Sequence, residues 1–207
     1  DLLKYWQVMN DDEKETVGNL SRENNWADAY LAECGKKEES YQMFLLLWRY
    51  QGEKSDELLK MLMRELANLH IEQSMAACRL ISQICDERIV PLLLFALLKP
   101  DKYPPARVAE ALAAFGIVAA RALAALYRKV EATEYKLLVL DAMGQLHKLC
   151  PLSVLKEAVA SSNDEIRKKA AEIIGIVHPE DALELLHPMM VDSDGRIRSA
   201  AAAALGQ

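Results

Sequence analysis

Aromatic residues are scarce in this 207-residue chain, at 6%, and it holds only eight glycines and seven prolines. Few aromatic and β-branched residues argue against an all-β domain. The modest glycine and proline content excludes collagen-like and low-complexity chains. No apolar run approaches the roughly 20 residues that a membrane helix needs. The longest, residues 89–98, contains Pro91 and reads as a fully buried helix. No signal-peptide pattern opens the chain. The chain starts at Asp1 rather than Met, which reads as a piece of a longer protein. None of the four cysteines (Cys34, Cys78, Cys85 and Cys150) forms a C-x-x-C pair. They read as small buried hydrophobes in a reducing compartment, which places the chain in the cytoplasm, alone or as the soluble part of a larger or membrane-anchored protein.

Catalytic constellations are equally thin. No H-E-x-x-H, Walker-type or G-x-G-x-x-G string occurs. The four histidines are scattered, and His178 and His187 flank one helix at opposite ends, too far apart for joint ligation. His147 and Cys150 could share a helical turn, but no third residue orients them as a nucleophile–base pair requires. The acidic pairs Glu180/Glu184 and Asp192/Asp194 read as solvated or helix-dipole groups. Asp192-Ser-Asp194-Gly opens like a calcium loop and then lacks its later glutamate. No catalytic residue, metal site or cofactor is expected. The net charge is −6, which disfavours a phosphate backbone as partner.

Leucine and alanine are abundant, 32 and 29 residues, and both are strong helix formers. They recur in a pattern. Residues 165–175 (EIRKKAAEIIG) align with residues 196–206 (RIRSAAAAALG), their glycines 31 apart. Residues 134–144 fit 31 earlier, with Lys136 in the slot of Arg167 and Arg198. Gly116 fits 28 earlier still, with Arg107 one place off register, and Ser82 would hold the glycine slot 34 before that. Second helical patterns lie between them, at residues 86–99, 118–130, 152–160 and 179–191. Asp86, Thr133, Asn163 and Asp194 are expected N-caps, and Pro91, Pro151 and Pro179 sit near helix starts.

The Asp/Asn-x-x-(Val/Ile)-Arg-x-x-Ala-Ala-x-(Ala/Ile)-(Leu/Ile)-Gly string resembles the second helix of HEAT repeats, in the short bacterial form also seen in phycobilin lyase-like proteins. The resemblance covers about residues 70–207. It implies an all-α fold, a right-handed α-α superhelix of helix pairs over residues 55–207, stabilised by stacking. Residues 1–54 are then a divergent helical capping region, acidic and holding all three tryptophans (Trp6, Trp26 and Trp48).

The resemblance also implies a non-catalytic scaffold for a partner protein or peptide. The alternative it carries is a phycobilin-lyase-like or other enzyme-accessory or chaperone role with a bound cofactor. If the glycine-ended helices line the concave side, the outward slots hold Glu134, Leu137 and Asp141, then Glu165, Lys168 and Glu172, then Arg196, Ser199 and Ala203. Their signs alternate, which suits a mixed-charge protein surface rather than nucleic acid. The same slots also fit a merely solvated face. Lys136, Arg167 and Arg198 read as a structural ladder between neighbouring loops, or else as a basic stripe for a phosphate or acidic peptide. The run from Ala200 to Ala204 lacks a polar outer stripe, so self-association or further repeats are expected at that end.

Overall fold

The computed structural model describes residues 56–67 and 71–206. The expected capping region at 1–54 lies outside the described residues. Among those described there are ten α-helices and no strand. They are α1 (Asp56–Leu66), α2 (Ile71–Ile84), α3 (Val90–Leu97), α4 (Pro105–Ala113), α5 (Gly116–Lys129), α6 (Thr133–Gly144), α7 (Leu152–Val159), α8 (Asp164–Val177), α9 (Ala182–Leu186) and α10 (Gly195–Leu205). Short 3-10 turns occupy Glu87–Ile89, His147–Leu149 and Pro188–Val191.

Local chemistry sets these boundaries. In α8, the Asn163 side chain accepts from the N–H groups of Glu165 and Ile166, and Asp164 and Glu165 favour the positive helix start. Ile166, Ala170, Ile173, Ile174 and Val177 then form one buried stripe at helical spacing. His178 ends the helix in the left-handed conformation, and Pro179 follows. The helix expected at 179–191 is instead split into α9 and a 3-10 turn, because Pro188 has no N–H to continue it. Asp86 and Asp194 cap as expected. Thr133 does not: Ala132 holds the N-cap position of α6, and the Thr133 hydroxyl accepts from Asn163 Nδ2 at 3.0 Å, tying two units together.

The helices form two layers. In the even-numbered layer α2 packs on α4, α4 on α6, α6 on α8 and α8 on α10. Each odd-numbered helix lies against the even one that follows it. One core runs through all five pairs.

The period is more regular than the glycines indicated. Cys85, Gly116, His147 and His178 all have φ between 47° and 52°, and each lies 31 residues after the last. The chain therefore turns the same left-handed corner at every joint between units. In this register the counterpart of Gly116 is His147, not Gly144. The slot that ends in Gly144, Gly175 and Gly206 is held by Ala113 and Ser82 in the earlier units. The spacings of 28 and 34 are thus replaced by 31 throughout.

The core follows the same register. Ala77, Val108, Val139, Ala170 and Ala201 form one buried column, and Leu80, Ala111, Ala142, Ile173 and Ala204 form another. Nor does the recurring glycine simply stop a helix: Gly175 is buried inside α8. A Cβ on Gly144 would stand 3.0 Å from Ile173 Cδ1, so that glycine permits close approach of α6 and α8.

Candidate functional site

A groove of about 650 Å³ lies between α8 and α10. Lys168, Glu172 and Ile176 supply one wall, four residues apart and so on one helix face. Arg196, Ser199, Ala200, Ala203 and Ala204 supply the other wall and floor. The small alanines leave the space open, and Ile176 is an exposed apolar side chain within it.

Charged groups at the rim are held by neighbours. Arg196 donates to Glu165 at 2.7 Å across the two helices and to its own cap, Asp194, at 2.7 Å. Asp194 first, then Glu165, hold the Arg196 guanidinium above its ordinary pKa. Lys169 reaches Asp141 on α6 at 3.0 Å and Glu172 at 3.2 Å. Burial opposes the charge on Lys169, but these carboxylates outweigh it and raise its pKa. Lys168 stands 3.4 Å from Glu172. The rim is a lattice of paired charges with an apolar floor rather than a field of one sign.

Of the residues expected on this surface, Lys168, Glu172, Arg196 and Ser199 come together at the groove, with Ala203. Glu165 stands beside it through Arg196. Asp141 joins through Lys169, and Glu134 is exposed on the first turn of α6. Leu137 departs from the expected placement: it is half-buried and packs against the core, because α6 is apolar on more than one side. Sequence reasoning missed Lys169, Ile176 and Ala200. For Ile176 a signal existed, the four-residue spacing from Lys168 and Glu172.

The three residues of the expected ladder do different things. Arg167 donates through Nη1 to the Ser161 carbonyl (2.9 Å) and through Nε to Asp192 (2.8 Å) in the next loop. Arg198 donates through Nη1 to the carbonyls of Asp192 and Ser193 in its own loop. Lys136 instead lies over the Tyr127 ring, 5.2 Å from its centroid. The buried hydroxyl of Ser74, in the same slot of an earlier unit, donates to the Leu66 carbonyl at 3.0 Å.

Of the cysteines expected to be buried, Cys78 is buried and Cys150 half-buried, whereas Cys85 is exposed at a joint between units. Burial above all pushes the Cys78 thiol up to about 12 and Cys150 up to about 11, so neither is a thiolate at neutral pH. His147, beside Cys150 in sequence, is a joint residue at positive φ. Among the described residues no group of three His, Cys, Asp or Glu could hold a metal ion, and no helix is long and apolar enough to cross a membrane.

The described residues form an all-helical array of repeated helix pairs. Residues 151–207, which contain both walls of the groove, match the family model described as HEAT repeats. Among solved structures, the crystal structure of an engineered protein, a structural-genomics target, is similar over 96% of each chain, at 14% identity and a TM-score of 0.39. No curated protein matches the sequence.

Proposed function

We propose that this chain is a non-catalytic binding scaffold whose even-helix surface receives a segment of a partner protein. The observation that supports this reading best is the groove between α8 and α10. An apolar floor framed by polar side chains is what anchors one buried partner side chain and orients the segment around it. HEAT repeats commonly serve as protein-interaction scaffolds, and the residues matching that family include the groove. The mixed signs of Glu165, Lys168, Glu172 and Arg196 favour a protein surface over a phosphate backbone. Ser199 lies within the groove, and Glu134 and Asp141 on α6 extend the same surface along the array.

The test is differential capture from an extract of the source cell. Ala203→Trp fills the groove, whereas Arg121→Glu changes an exposed charge on the opposite layer. A protein retained by the wild type and by Arg121→Glu should fall roughly tenfold in retention on Ala203→Trp, with helicity unchanged. Equal retention by all three chains, or none by the wild type, overturns the reading.

A further inference from the structure

One position of the even layer changes in size at the last step of the register. On α4, α6 and α8 it holds Arg107, Leu138 and Lys169; on α10 it holds Ala200. The Lys169 side chain spans the space between α6 and α8. Its Nζ lies 3.0 Å from Asp141 on α6 and 3.2 Å from Glu172 on its own helix. Between α8 and α10 the same frame recurs with that side chain taken away. Glu172 is the counterpart of Asp141 and lines the groove, and Ala200 and Ala203 stand in the places of Lys169 and Glu172. The groove is thus the space of a missing lysine, with the carboxylate that would receive it still in place.

The charges around the groove agree. Among the described residues Glu172 pairs only with cations of its own helix, Lys168 at 3.4 Å and Lys169 at 3.2 Å. The contact to Lys168 is the longest on the rim, and the flexible lysine stem is free to turn its ammonium to water. Arg196 is already held by Glu165 and Asp194. Groove and rim together carry four carboxylates (Asp141, Glu165, Glu172 and Asp194) and three cations (Lys168, Lys169 and Arg196). One further positive charge balances them. Stacking of another unit does not supply it. Lys168 and Glu172 each stay 37% exposed although α9/α10 follows their own unit, so a following helix pair leaves these positions open.

We propose that the groove between α8 and α10 receives a lysine or arginine side chain of the partner segment, in the place that Lys169 fills between α6 and α8. This inference rests on the scaffold reading above and names the chemistry of its anchor. The aliphatic stem lies on Ala200, Ala203 and Ile176, and the charged head reaches Glu172. The partner segment is therefore basic at its anchor and apolar beside it.

The probe is a displayed library of short random peptides, panned on the full chain. Enriched peptides are synthesised with a fluorescent label and titrated by anisotropy. They should share a basic residue flanked by apolar ones. Glu172→Lys in the protein should weaken their binding roughly tenfold, and a glutamate in place of the shared basic residue should recover it. Ala200→Lys restores the side chain that α8 carries at this position. It should weaken binding to the same degree with helicity unchanged, whereas Arg121→Glu should have no effect. Peptides that are lost on Ala200→Lys and Ala203→Trp but are indifferent to Glu172→Lys overturn the basic anchor and leave the groove as a binding site. Peptides indifferent to all three substitutions, or no enrichment at all, overturn the anchor and the groove together. Dimerisation of the wild-type chain that Ala200→Lys abolishes overturns the proposal in favour of a second copy.

Discussion

Asp192 is the residue on which the last joint turns. It accepts from Arg167 across the unit boundary and from the Asp194 N–H within its own loop. The Arg167 guanidinium first, and that N–H second, hold its carboxyl at about 2, below the ordinary 3.8. The unfolded chain therefore binds this proton more readily than the folded one. The stability contributed by Asp192 is complete above pH 3.8 and is lost as the pH falls toward 2. Asp192→Asn should melt below the wild type at pH 7, and the gap should narrow in thermal melts between pH 4 and pH 2. A gap independent of pH would mean that the charge of Asp192 does not hold the joint. Arg167 was legible in the sequence as a ladder residue because Arg198 repeats it. Its acceptor was not, since Asp192 has no acidic counterpart one period earlier, where Ser161 stands.

At the scale of the helix, the close contact of α6 and α8 is the sharpest local constraint. Gly144 gives Ile173 its space. Gly144→Leu must push the helices apart or displace Ile173, and overpacking of this kind costs about 1–3 kcal/mol. Urea denaturation should show a lower midpoint with an unchanged slope, whereas Gly206→Leu, at an exposed helix end, should be nearly silent. A loss of equal size at both positions would remove close approach as the role of the slot. Helix identity was legible here: the apolar stripes run along the helices, and the caps at Asn163 and Asp194, with Pro91 and Pro151, sit where helices begin. Register was not fully legible. Each joint is marked by a backbone angle, and of Cys85, Gly116, His147 and His178, which share that angle, only the last two share a residue type. Matching by glycine identity therefore shifted one unit by three residues. The groove was half legible for the same reason: outward slots can be counted on one helix, but pairs such as Lys169 with Asp141 appear only when two helices are set in register.

Across the whole molecule, each pair contacts its neighbours, so stability is a sum of unit and interface contributions. Leu155 is fully buried in α7, and truncation of a buried leucine costs about 2–5 kcal/mol. In Leu155→Ala the loss should spread unevenly. Native-state hydrogen exchange should quicken most in α7 to α10, while α4 and α5 keep much of their protection. Uniform acceleration along the chain would instead describe a single cooperative block.

The left-handed joints carry a consequence for how such a chain can change its length. Any two joints are separated by whole multiples of one period, and the core columns of the even helices are identical in spacing on either side. Excising the stretch between two joints, or copying it, returns every column of the even layer to its place. Removing residues 117–147, for instance, joins Gly116 to Lys148 and brings Ala170 to where Val139 stood. An indel of any other length throws those columns out of phase. Copy number is the one dimension in which this architecture is free to vary without redesign.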